Sequence, residues 1–351
     1  MYELNTGTDD DNQPNESNCS VPENKGILTT GASVCGVSII ACVVPIILVV
    51  TLKLHRQFTY RAALYQVVAA LLFVLALLLD TIFAMMMGSN NHSFQSPCKF
   101  AAFMIQFFLW LKLLFVSLIV VHLFMFAIVY KNIRRFEIIY VCSSIVISLV
   151  IASVPFITNT YGLAGSWCWI TNWKNDCPSQ VLMDGVIEQF STLYGPGFVL
   201  LSTDSVVAIA IVLVLAARIR RRKIGEMSST PGYQHSEALK QMVPLLAYPI
   251  LFFFLFLPAF ANRIYGATPH RPNTALMFLA VFCIASWGWV AGLTLMVHIG
   301  VLLWSRRRKL KQSGKYGATE EVDVYATMGA LSTSNPTLST SRTHFILPEE
   351  S

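Results

Sequence analysis

The sequence predicts an all-α membrane protein, a seven-transmembrane helix bundle with its N-terminus outside and its C-terminus inside. Three observations carry that prediction: seven long apolar windows, no period-two alternation within them, and an uneven distribution of Lys and Arg between them. A hydrocarbon core about 30 Å thick takes roughly 20 apolar residues per helix. The windows at 29–52, 62–87, 100–130, 136–158, 186–217, 241–261 and 274–304 meet that length. Backbone polar groups in lipid must be paired within the segment, so the windows are helices, and runs such as LLFVLALLLD lack the alternation of a membrane barrel.

Lys and Arg set the orientation. With the N-terminus outside, the four inner segments hold nineteen of them and the four outer segments five. The net charge of +6 therefore belongs to the inner face, where it suits anionic headgroups and acidic partners. It marks no separate basic domain and gives no reason to expect a nucleic-acid partner.

The chain then divides into an extracellular arm (1–28), a seven-transmembrane domain (29–304) and a cytoplasmic Ser/Thr-rich tail (305–351). The arm has no apolar core of a cleavable leader, so the first helix is expected to act as signal and anchor. Asn15, Asn18 and Asn91 stand in glycosylation sequons, and all three fall outside. The connections at 55–61 and 131–135 suit antiparallel neighbouring helices, whereas the longer RIRRRKIGEMSSTPGYQHSEALK segment is expected to extend spans five and six around a Gly/Ser/Pro turn. The tail carries LSTSNPTLSTSRT, a stretch able to accept phosphates of about −1.5 to −2 charge each.

Ionisable residues inside spans are costly and face the bundle interior. Lys112 lies fourteen residues past Cys98, about 21 Å along span three, and Asp80 lies about 12 Å down span two. The two can pair if helix tilt closes that depth gap, or Lys112 can meet an anionic ligand group. Asp204, mid-span five, must find a partner, water or a proton. Glu188 and Arg263 stand near the outer ends of spans five and six, where an incoming ligand would meet them. His122 and His298 are isolated and make no metal site. Pro196, between Gly195 and Gly197, and Pro244, Pro249 and Pro258 make spans five and six the least regular helices.

Cysteines divide by compartment. Cys35, Cys42, Cys142 and Cys283 read as small buried hydrophobes within helices. Cys19, Cys98, Cys168 and Cys177 lie outside and can form two disulfides in any of three connectivities.

Most function classes are poorly served. No HExxH or GxSxG motif is present, so a non-catalytic role is expected, without cofactor or metal. The last window contains no Lys for a retinal Schiff base. No internal repeat points to a transporter and no charged ring to a channel. An outside pocket, helices able to splay and a basic inner surface suit a receptor; the alternative is an ion or proton path through Lys112, Asp80 and Asp204.

The segments YGLAGSWCWI (Tyr161 to Ile170) and YPILFFFLFLPAFANRIYG (Tyr248 to Gly266) resemble the cyclic-AMP-receptor-like family of G-protein-coupled receptors, and more distantly the secretin and adhesion receptors. Span three ends in FAIVYKN without a D-R-Y signature, and span seven has no N-P-x-x-Y, which sets the chain apart from rhodopsin-like receptors. The resemblance implies a Cys98–Cys168 bridge, Trp167 and Trp169 over a pocket, and Asn262 and Arg263 at the outer end of span six, leaving Cys19 and Cys177 as a possible second pair. It also implies an extracellular ligand and a heterotrimeric G protein facing Lys131, Arg134, Arg135, Arg220, Arg221 and Arg222. A receptor kinase and arrestin at the tail, and a multi-pass place in the plasma membrane, complete the expectation.

Overall fold

Leu, Val, Ile, Phe and Ala fill the seven windows, and each window closes its backbone hydrogen bonds on itself. The computed structural model describes residues 25–87, 95–125, 136–164, 167–171, 173–174, 177–181, 183–224, 243–267 and 273–313. The helices are α1 (Lys25–Thr51), α2 (Phe58–Met87), α3 (Gln95–Phe124), α4 (Glu137–Ile157), α5 (Met183–Gln189), α6 (Gly195–Ile224), α7 (Ala247–Gly266) and α8 (Thr274–Ser313). A π-helical turn, Phe190–Tyr194, joins α5 to α6, so these two with the turn form the fifth of seven segments long and apolar enough to cross a membrane. The chain divides into two compact units, Met1–Leu302 and Leu303–Ser351; in the second, residues 303–313 are described, as helix.

Burial sorts the helices. Within its most apolar stretch α3 is 72% buried and α4 only 22%, so α3 is central and α4 peripheral. Val37, Ile40 and Ile47 on α1, Ile138, Val146 and Val150 on α4, and Val199, Val206 and Leu213 on α6 are exposed, an apolar outer surface suited to lipid. Cys142 belongs to that surface. It was expected buried and instead is exposed, because α4 turns Ser144, Ser148 and Ala152, at four-residue spacing, toward the bundle.

Small residues also set the α1–α8 seam, as close helix approach in membranes requires. A Cβ on Gly288 would lie 2.7 Å from Ser38 and Val74, and one on Gly292 would overlap the Ala41 carbonyl. Ser38 Oγ donates to Ala285 O (2.8 Å) and Cys42 Sγ to Gly288 O (3.2 Å). Pro45, inside α1, has no N–H for the Ala41 carbonyl, so Gly292 meets a carbonyl that has lost its helical donor.

A second proline acts on the other side. Pro196 cannot donate to the Thr192 carbonyl four residues earlier, and the indole N–H of Trp110 on α3 takes that acceptor at 2.8 Å. The π turn ends where Gly195 N–H reaches Phe190 O, and a Cβ on Gly195 would stand 2.8 Å from that oxygen. The irregularity expected of spans five and six takes the form of this π turn before Pro196 and of a 3-10 turn, Val243–Leu246, that contains Pro244 ahead of α7; Pro258 lies inside α7, as Pro45 and Pro155 lie inside α1 and α4.

Two hairpins follow α4, an addition to the all-helical expectation. The chain turns at Asn159, whose φ of 56° an Asn tolerates, into β1 (Tyr161–Leu163), which pairs antiparallel with β2 (Cys168–Ile170). The second pairs β3 (Trp173–Lys174) with β4 (Cys177–Val181).

Outside the described residues lie Asn15, Asn18, Asn91, Cys19, Lys131, Arg134 and Arg135, and the tail beyond residue 313. The side chains of Cys177, Arg221 and Arg222 lie outside them too, while Arg220 is exposed on α6.

Candidate ligand site

Helical spacing brings one face each of α1, α2, α3, α7 and α8 to a common cavity at the end of the bundle where β1 and β2 lie. On α2 the face is Phe73, Leu77, Asp80 and Thr81; on α7 it is Phe256, Ala259 and Arg263. Gly31 and Cys35 of α1, Leu109 of α3, Tyr194 of the π turn, and Ala285 and Trp287 of α8 complete most of the wall around about 90 Å³. Trp167 and Trp169 line it from the hairpin.

The hairpin is fastened from several helices. Cys168 is bridged to Cys98 at the start of α3, with Cα atoms 5.3 Å apart. Its N–H donates to Asp80 Oδ1 of α2 at 2.9 Å. Trp169 Nε1 donates to Gln106 Oε1 of α3 (2.9 Å), and Gln189 Nε2 of α5 donates to Ile170 O (2.6 Å). Tyr161 hydroxyl donates to Ala152 O (2.9 Å); burial, then the Glu188 charge, pushes its pKa up, so it remains a donor at neutral pH.

Asp80 and Lys112 therefore do not pair. Asp80 sits at the level of the bridge and finds a backbone amide, whereas Lys112 lies deeper, fully buried beneath the cavity wall. Its Nζ stands 3.2 Å from the Trp287 ring centroid and 3.7 Å from that of Phe73, and has no hydrogen-bond partner among the described residues. Lys112 Nζ lies against Phe73, seven residues and about 10 Å along α2 from Asp80.

Other sequence candidates separate in the same way. Glu188 is buried away from the cavity wall and accepts from Thr158 Oγ1 (2.8 and 2.9 Å) and Thr160 Oγ1 (2.6 Å), which ties α5 to the turn after α4. Asn262 is half-buried and does not line the cavity, since it stands one helical step from Arg263. Asp204 accepts from Ser117 Oγ of α3 at 2.6 Å. With Asp80 on the hairpin, Lys112 under aromatic rings and Asp204 on Ser117, the three groups of the transport alternative each have separate surroundings.

Arg263 is the cavity's cation. It is 8% exposed, Nε donates to Tyr194 hydroxyl (3.3 Å), and its guanidinium carbon stands 4.9 Å from the Trp169 ring and 5.3 Å from that of Trp167.

A line of rings leads inward from the hairpin. Trp169 meets Tyr194 edge-on (5.5 Å), Tyr194 meets Phe256 (5.7 Å), and Trp287 stacks on Phe252 (5.3 Å) while touching Phe256 (6.3 Å). Trp287, Tyr194 and Gln106 were not singled out in the sequence, although the SWGW run in span seven offered a signal for the first.

At the far end, Arg61 of α2 donates through Nε to Glu137 Oε1 of α4 (2.8 Å) and through Nη2 to Oε2, and Tyr65 hydroxyl donates to Oε1 (2.9 Å). Arg61 is one of the nineteen inner Lys and Arg residues, and Glu137 opens α4 just after an inner segment. An acid directly following a basic inner segment was the available signal.

A family model described as slime mold cyclic AMP receptor matches residues 26–319. No curated protein matches the chain. Among solved structures, the crystal structure of squid rhodopsin is similar with a TM-score of 0.58, covering 89% of this chain and 92% of that one at 12% identity, a likeness of fold.

Proposed function

We propose, on the premise that the chain belongs to the slime mold cyclic AMP receptor family, that this G-protein-coupled receptor takes an extracellular ligand into the cavity beneath Trp167 and Trp169. In this reading the hairpin end faces outward, the basic end faces the cytoplasm, and the multi-pass receptor resides in the plasma membrane without catalytic activity. The carrying observation is the cavity itself, walled by Asp80, Arg263 and Trp287 and covered by a hairpin bridged to α3. The rings from Trp169 to Trp287 supply contiguous packing between that cavity and α7 and α8, whose shifts would be felt at the far end.

There the receptor engages a heterotrimeric G protein through Lys131, Arg134, Arg135 and the Arg220, Arg221, Arg222 run. Asn15, Asn18 and Asn91 carry glycans, and phosphorylation of the Ser/Thr tail by a receptor kinase recruits arrestin.

Nucleotide exchange on purified G proteins tests the coupling, with cyclic AMP, for which the family is named, as the first compound tried. Exchange above background with at least one G-protein class is the expected result. None across all classes, with basal activity also absent, removes the coupling claim. Cys98→Ser and Cys168→Ser should reduce surface expression or response equally, since either variant opens the same bridge.

A further inference from the structure

Among the described residues Arg263 is a buried cation without an ion pair, and Asp80 of the same cavity is a carboxyl group without one. The only ion pair among the described residues is Arg61–Glu137, at the far end, and a guanidinium removed from water calls for an anion. Its Nε is engaged by Tyr194, and its face rests against Trp169 and Trp167, so the planar fork of terminal N–H groups is already oriented.

The other polar groups of the cavity narrow the chemistry. Thr81 Oγ1 is bonded to Leu77 O within its own helix (2.8 Å), and the Trp169 N–H is given to Gln106. Trp287 Nε1 is buried with no partner among the described residues, a further donor. The principal acceptor is Asp80 on the α2 wall, with one oxygen already held by Cys168 N–H. Between these groups the wall is hydrocarbon, including Ile27, Leu77, Leu109, Leu193, Val281 and Ile284.

The Cys168 amide already holds Asp80 through one oxygen, so the free donors are the Arg263 fork and Trp287 Nε1, and these fit a ligand whose polar head accepts. We infer that the cavity takes an apolar monoanion: a carboxylate or similar head on Arg263, set between Trp167 and Trp169, and a hydrocarbon body among the aliphatic residues of α1, α2, α3 and α8. A nucleotide's amine and hydroxyl donors would find few acceptors there. The inference rests on the cavity being the receptor's ligand site, and it makes no use of G-protein coupling.

The test uses the full chain in nanodiscs of zwitterionic lipid, with tryptophan fluorescence and thermal melting as readouts and empty nanodiscs as blank. Octanoate is added from water, and oleate is supplied within the bilayer, so that a soluble and a membrane-borne source are separated. Octanol and cyclic AMP are the comparators. Saturable binding of octanoate or oleate, at least about tenfold tighter than octanol, is expected. Arg263→Gln should erase that difference, and Arg263→Lys should keep part of it. Because Arg263→Gln can disturb folding, Leu77→Trp, which fills the cavity and leaves Arg263 intact, should abolish binding independently.

Octanol binding as well as octanoate overturns the inference, as does anion binding that survives both Arg263→Gln and Leu77→Trp. Saturable cyclic AMP binding with neither carboxylate bound overturns it as well. Nucleotide exchange is a separate readout: anion binding without exchange keeps this inference and removes the signalling one, and exchange driven by cyclic AMP alone does the reverse.

Discussion

Two prolines release two carbonyls, and the bundle treats them differently. On α1 the Ala41 carbonyl freed by Pro45 is pressed against Gly292, where no side chain intervenes and two helix backbones nearly touch. On the fifth span the Thr192 carbonyl freed by Pro196 is reached by a long indole from α3, across a side chain that has rotamers to spare. One wall of the cavity is thus held by backbone contact, with Ser38, Gly288 and Cys42 repeating the pattern; the other is held by aromatic rings around a π turn. Backbone contact has no alternative arrangement, whereas ring packing has several. The difference points to the α5–α7 side as the wall that yields when a ligand binds.

Substitutions should break this contrast unequally. Gly292→Val places a methyl group where the Ala41 carbonyl stands, so α1 and α8 must part; a loss of roughly 3 kcal/mol or more, seen as failure to reach the surface or a collapsed melting temperature, is expected. Trp110→Phe leaves the Thr192 carbonyl without its donor and should cost about 2 kcal/mol, with the receptor still folded. If Trp110→Phe proves as damaging as Gly292→Val, the two walls are equally rigid and the contrast fails. Gly195→Ala crowds the Phe190 carbonyl and should cost about 1–2 kcal/mol while altering ligand affinity through Tyr194, read by melting and binding together. Ser38→Ala removes the hydroxyl that donates to Ala285 O and accepts from Trp289 N–H, and at about 0.6 kcal/mol it should be the mildest, because the glycine contacts remain.

The helices were legible because lipid leaves the backbone no other choice, and the Cys98–Cys168 bridge was legible through resemblance. Asp80 was flagged as a group in need of a partner, and of the pairings open to it the one with Lys112 is not formed. Its partner is the amide of Cys168, a group every residue but proline carries and no sequence pattern distinguishes. Arg263 was flagged by motif and charge, but its stacking on Trp167 and Trp169 depends on a hairpin that the apolar periodicity does not reveal. Span seven was read for a lysine and for N-P-x-x-Y, and so its Gly288 and Gly292 passed without comment. Close approach is a property of two helices together, so one helix read alone does not display it.

The π turn has a consequence for how the fifth span is numbered in space. A regular helix advances about 100° per residue, and Phe190–Tyr194 holds one residue more than the α-helical ladder would. A single helical wheel drawn through the span therefore misplaces Met183–Gln189 by one step, and two wheels out of phase are needed. Deleting one residue within the turn would restore a common phase, swinging Glu188 away from Thr158 and Thr160 while leaving everything after Gly195 where it was.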